Sequence, residues 1–459
     1  MARVVVVGAG VSGLAAAARL ARLRYDVVVC ERNPGPGGQA GRFERDGFAF
    51  DTGPTLVQLP AALRDLFIKT GKTAPLDSVL ELRPVDPAPR WQFADGTVVD
   101  LPNASRAGTM DALAAALSPA AAKAWDAFLT EGDGVWEQFR QGFLSGPPAP
   151  LHGGLRRPKE ERRRLAALRP AKSLTDLIHR HIDDARVRQA AAGYALRLGS
   201  DPRTAPAGVV IWPWLEQTFG TWEVLGGIRA LIDAIAARAV LRGAVLRYDA
   251  EVVGVEHAAG RVTGVRLIDG SHLPADVVVA AVDDHVLAGL LGTPVPSTPR
   301  SCSAMSLLVA LRGTDTGPAS TVSFPADPEP ELTAVFGAGH TAAEPTLFLG
   351  RGEAPAGHTA LTVTAMAPAG APMDPAAVLQ ALAERGYAPS DRLLWWEFRA
   401  TGGPIAGPAL VGRDGLLRAP NATDVDGLFQ VGASAHPGPG LALAPLSAAL
   451  VAETLGRAR

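Results

Sequence analysis

Three glycines near the start of the chain are spaced for phosphate chemistry. Gly8-x-Gly10-x-x-Gly13 follows the β-branched run 4–7 and opens an alanine-rich helical stretch, 14–23. In that setting Gly8 allows a tight turn and Gly10 lets the backbone approach a pyrophosphate. Gly13 lets helix and strand pack closely, and the helix N-terminus turns its positive dipole toward the phosphates. A second valine run ends at Cys30-Glu31, with Glu31 eighteen residues beyond Gly13, where a carboxylate meets ribose hydroxyls. Strand, glycine turn, helix, strand and acid together read as dinucleotide binding.

FAD and NAD share that fingerprint, so the choice rests on other segments. Gly37-Gly38 offers a second backbone approach to the pyrophosphate, which NAD does not require. Phe50-Asp51-Thr52-Gly53-Pro54-Thr55 reads as a turn whose backbone lies against a flavin, with Asp51 holding the local backbone. Near the C-terminus, Val431-Gly432-Ala433-Ser434-Ala435-His436-Pro437-Gly438-Pro439-Gly440 joins a strand to the last helical run. A helix there aims its N-terminus at the flavin N1/C2 carbonyl and stabilises the reduced ring. We therefore expect FAD. Its expected contacts are Gly8, Gly10, Val11, Ser12, Gly13, Glu31, Arg32, Gly38, Gln39, Ala40, Gly53, Pro54, Thr55, Val252, Val253, Gly432, Ala433, Gly440, Leu441 and Ala442.

The elements that must position these residues lie far apart in the chain. The opening βαβ unit occupies the first thirty residues or so. Residues 76–220 differ in character: a hairpin with an Asp95-Gly96 turn, then helical patterns at 110–117, 120–139 and 174–198. From about 222 the first character returns, with a helix at 228–241 and strands at 245–248, 251–256, 261–267 and 276–281. Short strands with one helix near 375–386 follow, and 427–455 reads as strand, loop and final helix. The fold class is α/β: a Rossmann-like cofactor domain (1–75, 222–296 and 410–459) interleaved with an α+β substrate domain (76–221 and 297–409). A mixed or antiparallel sheet and helices are expected in the latter.

Composition agrees with a large globular protein. The chain has 459 residues, 47% hydrophobic and 20% charged, with a formal net charge of −2. That length and apolar share support two cores, and the charge balance gives no reason to expect a nucleic-acid partner. Cys30 and Cys302 stand alone, with no metal-ligand spacing, and read as buried thiols in a reducing, cytoplasmic setting. No metal is expected. No signal peptide is read at the N-terminus, and no apolar run is long enough to span a bilayer.

These motifs, together with Asp201-Pro202-Arg203-Thr204-Ala205-Pro206, Glu216-Gln217-Thr218-Phe219-Gly220-Thr221-Trp222 and Gly226-Gly227, resemble the bacterial phytoene desaturase family. That family is similar in fold to the monoamine oxidases. The resemblance spans most of the chain and is weakest over 230–420. It implies an FAD-dependent oxidoreductase acting on a long apolar polyene, with carotenoid desaturation as the leading activity. Isomerisation or saturation of such polyenes stays open on the same fold. In desaturation, flavin N5 takes a hydride from a carbon next to the conjugated system, the cation spreads over the polyene, and a neighbouring proton leaves. Oxygen or a quinone would then accept the electrons. Gln39 stands where many members carry Arg or Lys, so a charge contact to the pyrophosphate is not expected there. Glu223 stands where an aromatic is common.

Glu216, in the motif leading back to the cofactor domain, and His436, in the flavin loop, are the acid–base candidates. Trp212, Trp214, Phe219 and Trp222 are read either as tunnel lining or as plain core. Amine oxidation is the rival activity. The resemblance implies that amine oxidases use a late Lys near N5 and a Tyr in an aromatic cage. Here all five Lys lie at or before residue 172, and Tyr occurs only at 25, 194, 248 and 387. A phytoene-like substrate dissolves in lipid, so peripheral membrane contact is expected around 105–215. Its basis is the stretch 156–172, with eight Lys or Arg against two Glu, beside the apolar run 205–215.

Overall fold

The computed structural model describes residues 1–71, 74–142, 166, 168, 171–400, 404–412 and 415–458. Strand β1 (Arg3–Val7) passes through the glycine turn into helix α1 (Val11–Arg22), and β2 (Asp26–Cys30) returns parallel to β1, with Val4 opposite Val27 and Val7 opposite Cys30. Both strands are valine runs. Branching at Cβ favours extended backbone, and a strand covered on both faces needs no polar alternation. Val4 to Val7 are each at most 5% exposed.

Distant segments complete this parallel sheet. Val245–Arg247 lies outside β2, Val277–Ala280 lies on the other side of β1, and Leu428–Gln430 pairs beyond it. The carboxyl ends of β1, Val277–Ala280 and Leu428–Gln430 therefore open onto one edge, where ligands bind in sheets of this kind. Helices Gly227–Leu241 and Ala444–Leu455 both pack on α1. Two neighbours on one helix need small residues between them, and Ala15 to Ala18 are fully buried. On the sheet's other face, the antiparallel strands Val252–Ala258, Arg261–Leu267 and His272–Pro274 bury Val255 and Val265 against Val5 and Val278.

The second large sheet has seven strands in the order Leu393–Ala400, Ser303–Arg312, His358–Ala367, Leu347–Arg351, Ser320–Ser323, Arg90–Gln92 and Val98–Asp100. It is mixed: Ser320–Ser323 runs parallel to Arg90–Gln92 and the other pairs are antiparallel. Two of its strands are ten residues long, where the sequence suggested short ones. Both are buried along nearly their whole length, so no period-two alternation marks where they end. Helices Arg106–Ala116, Pro119–Gly142, Leu174–His181, Ala185–Arg197 and Ile211–Phe219 share one apolar core with this sheet's far strands, centred on Trp91, Trp125 and Phe128.

Two sequence expectations are corrected here. The helix expected over 174–198 is two helices, broken at Ile182–Asp184. Asp184 is extended and accepts from the Arg186 and Val187 N–H groups, an N-cap that starts the second helix. Ile182 is fully buried, so the apolar spacing runs through the break and hides it. The apolar run 205–215 is interior: Ala205, Val209 and Val210 are fully buried. It offers no surface to a bilayer. The basic stretch 156–172 lies almost wholly outside the described residues. Among the described residues no helix is long and apolar enough to cross a membrane, and no cluster of His, Cys, Asp and Glu could hold a metal. Cys30 and Cys302 are buried, and burial pushes their thiols up to about 11 and about 12.

Candidate active site

Four segments converge at the open edge of the parallel sheet. Gly8 (φ +99°) donates to the Cys30 carbonyl at 2.8 Å, turning the chain sharply out of β1. A Cβ at Gly13 would sit 2.0 Å from the Gly8 oxygen, so only glycine lets α1 start this close to β1. Gly37 donates to the Ala9 carbonyl at 3.0 Å, and a Cβ at Gly38 (φ +62°) would come within 3.1 Å of the Gly10 Cα. The doublet is thus seated directly on the first glycine turn. From the other side comes Gly432 (φ +102°), where a Cβ would meet the Ser12 hydroxyl at 3.0 Å.

This cradle suits a dinucleotide. No side chain caps the N-terminus of α1 and no acid lies in its first turn, so its first N–H groups remain for an anion. Val11 and Ser12 open that turn. Glu31 is 5% exposed and fixed in place: one oxygen accepts from Ala9 N–H at 2.7 Å, and the other from the N–H and side-chain amide of Asn33 at 3.0 and 2.7 Å. Beside it, Ala250 N–H donates to the Glu31 carbonyl, which brings up Val252 and the exposed Val253. Arg32 is exposed at the same rim.

A Cβ at Gly53, ahead of Pro54 and Thr55, would stand 2.1 Å from the Gln39 carbonyl and 3.5 Å from the Ala40 Cα, so the chain at Gly53 lies directly on Gln39-Ala40. The Gln39 amide donates to the Pro404 carbonyl at 2.9 Å. It ties two backbone segments together at the position where a cation was the alternative. Both Asp51 oxygens accept from Ile228 N–H at the start of Gly227–Leu241, and burial pushes this carboxyl up to about 6. Asp51 therefore holds backbone, as expected.

The C-terminal loop is pinned from behind. Ser447 on the last helix donates to the His436 carbonyl at 2.8 Å and accepts from Gly432 N–H at 3.2 Å, while the Asn421 amide reaches the Gln430 and His436 carbonyls. Ala433 follows Gly432. His436 is 1% exposed and its own N–H donates to Ala419. The last helix begins at Ala444, one turn after Gly440, and Leu441 and Ala442 lie in that intervening turn. Arg418, which the sequence reading missed, is 4% exposed behind this loop. It donates to the Ala406 and Pro408 carbonyls at 3.2 and 2.7 Å, and burial pushes it down to about 10. Nothing local in the sequence marks it, because its partners are backbone atoms.

Glu216 belongs to a different place, a small cleft between the second sheet and the helices. Pro89, Trp91, Val322, Phe324 and Phe348 wall it, and Tyr194, Arg197 and Glu216 supply its polar side. Glu216 is 3% exposed, and its oxygens accept from the Tyr194 hydroxyl at 2.6 Å and the Gln58 amide at 2.7 Å, with Arg197 at 3.6 Å. Burial raises its pKa above the ordinary carboxylate value, and the nearby Arg197 charge opposes the rise. Burial also holds the Tyr194 hydroxyl well above its usual range.

The four aromatic candidates separate. Trp214 and Phe219 pack with Trp136 at ring distances of 5.4–5.8 Å, and the Trp214 indole N–H donates to Asp133. Trp212 packs against the same core. Trp222 lies on strand Thr221–Val224 against the core of the cofactor-side sheet.

The family of flavin-containing amine oxidoreductases matches residues 11–438. Hydroxyneurosporene desaturase of Cereibacter sphaeroides is 32% identical, covering 99% of this chain and 97% of its own. The 4,4'-diapolycopene oxygenase of Methylomonas sp is 27% identical, covering 99% and 98%. Phytoene dehydrogenase of Streptomyces griseus is 35% identical over 68% of this chain and 60% of its own. Among solved structures, an oxidoreductase from Methanosarcina mazei superimposes with a TM-score of 0.65 at 17% identity, covering 98% of this chain and all of that one. A redesigned putrescine oxidase gives 0.64 at 15%, covering 99% and 98%.

Proposed function

The chain belongs to the flavin-containing amine oxidoreductases, with FAD as its cofactor, and from that premise we propose that it desaturates an acyclic carotenoid. The observation that carries this reading is end-to-end similarity to carotenoid desaturases, joined to an intact cradle for FAD. Relatives alike over the whole chain include those named for hydroxyneurosporene and diapolycopene, while the phytoene enzyme of Streptomyces griseus covers two thirds of it. This favours a late, already conjugated substrate over phytoene, with the hydroxylated one named for the first relative as the leading case. The absence of any Lys beyond residue 172 speaks against amine oxidation.

Bound FAD supplies the hydride acceptor. The chain's own residues do the rest by placement. The glycine turn, the Gly37-Gly38 doublet and the helix N-terminus hold the phosphates, and Glu31 holds a ribose. Gly53 to Thr55 and the loop from Gly432 to Gly440 bracket the ring, and the packing of that loop on Ser447 and Asn421 keeps it from yielding. Both Glu216 oxygens are held by Tyr194 and Gln58, which fixes that carboxylate rather than freeing it to relay protons. His436 contributes through its anchored backbone. An apolar substrate of this length enters from a lipid surface, and oxygen or a quinone takes the electrons.

The test is to incubate the holoprotein with phytoene, neurosporene, hydroxyneurosporene and lycopene, reading product masses. The expected product is lighter by two hydrogens, largest in yield from hydroxyneurosporene. A product of unchanged mass would point instead to isomerisation, and no product from any of the four would refute the reading.

A further inference from the structure

The cleft beside Glu216 has a composition that plain core packing does not need. Its walls are aromatic and aliphatic, yet a carboxylate, a phenol and a guanidinium meet on one side of it. Burying a carboxylate is costly, and Glu216 is 3% exposed. Two donors and one cation converge to hold it there: the Tyr194 hydroxyl at 2.6 Å, the Gln58 amide at 2.7 Å and the Arg197 guanidinium in an ion pair at 3.6 Å. The network is satisfied but not saturated. Each Glu216 oxygen accepts one hydrogen bond, the Tyr194 oxygen donates once and can still accept, and the Arg197 side chain is 41% exposed with donors to spare. A hydroxyl entering the cleft finds an acceptor and a donor side by side.

Size and position define the guest. The cleft is too small for the length of a long polyene, so only one end of it can enter. The cleft also adjoins the turn assigned to the flavin. Gln58 follows Thr55 by three residues, and Phe348 stands two residues from Gly350, where a Cβ would meet the Thr55 hydroxyl at 3.0 Å. We propose that Tyr194, Glu216 and Arg197 form the site that recognises an oxygen-bearing terminus of the polyene. The terminal hydroxyl donates to the Tyr194 oxygen or the Glu216 carboxylate and accepts from Arg197, while its alkyl carbons lie against Trp91, Phe324 and Phe348. The proposal rests on the desaturase reading and adds to it the residues that choose the substrate.

Sites built to hydrogen-bond a hydroxyl discriminate strongly against analogues lacking it. The experiment compares kcat/KM for neurosporene and 1-hydroxyneurosporene in the holoenzyme and in Tyr194→Phe and Glu216→Gln. Flavin absorbance and melting temperature confirm that each variant is folded and loaded. The wild-type preference for the hydroxylated substrate is expected to be about tenfold or more, and each substitution is expected to lower that ratio at least several-fold, mainly through KM. Arg197→Met, at a half-exposed position, reads the same site should Glu216→Gln fail to fold. Turnover of both substrates with a ratio unchanged by Tyr194→Phe and Arg197→Met overturns this proposal and leaves the desaturase reading standing. Turnover of neither substrate by the wild type overturns this proposal, and the desaturase reading falls with it only when phytoene and lycopene also give no product.

Discussion

A methyl group at Gly13 would meet the Gly8 carbonyl oxygen at 2.0 Å, whereas one at Gly10 would meet nothing nearer than the Gly38 Cα at 3.8 Å. Gly10 also has φ −75° and ψ 177°, a conformation open to any residue. The two glycines therefore serve different ends. Gly13 is required by the packing of α1 on β1, whereas the role proposed for Gly10 is to leave space for a pyrophosphate. Gly10→Val is expected to fold, with a circular dichroism spectrum like wild type, and to lose its flavin on purification. Gly13→Val is expected to lose stability itself, by several kcal/mol. A yellow Gly10→Val protein would contradict the assignment of this turn to the cofactor phosphates.

At the scale of elements, the short helix Glu329–Thr333 is tied to the start of strand Leu347–Arg351 by a buried carboxylate. Glu331 accepts from the N–H and hydroxyl of Thr346 at 2.9 and 2.6 Å, and burial pushes it up to about 7. The folded chain thus holds this proton more tightly than the unfolded chain, whose glutamate titrates near 4.5. Stability from this group is full below pH 4.5, declines as pH rises from there to 7, and is level above. The span is about 3 kcal/mol at most. Glu331→Gln should flatten the fall in melting temperature between pH 5 and pH 8. An unaltered pH profile would show that Glu331 titrates normally.

Elements with a local signature were legible in the sequence, and those fixed by partners were not. The glycine turn, α1, the valine strands and the Asp95-Gly96 hairpin announce themselves through spacing and residue type. The break at Asp184 was hidden because Ile182 keeps the apolar rhythm. The ten-residue strands lost their ends to burial on both faces. At the site, the glycines and Glu31 carry a local pattern, the one expected for phosphate and ribose binding, and the structure brings them to one edge. Gln58, Tyr194 and Arg197 could not be read, since their partner Glu216 lies 19 or more residues away in the sequence, nor could Arg418, whose partners are backbone carbonyls. The apolar run 205–215 shows the converse error, in which core composition was read as a lipid-facing surface.

On the scale of the whole molecule, a sheet assembled from β1, β2 and three distant strands closes around the FAD cradle. The seven-stranded sheet and its helices carry the apolar cleft beside it. The last helix returns to pack on α1 and pins the loop from Gly432 to Gly440. Chain ends and middle are thus committed to one site, which takes in a hydride and offers no late Lys for amine chemistry. The most direct measurement of this account is the visible spectrum of the purified holoprotein, mixed anaerobically with an acyclic carotenoid in detergent or lipid. Loss of the oxidised flavin band, matched by a red-shifted polyene spectrum, is the predicted result. A flavin that stays oxidised with every such polyene, yet bleaches with an amine, would contradict it.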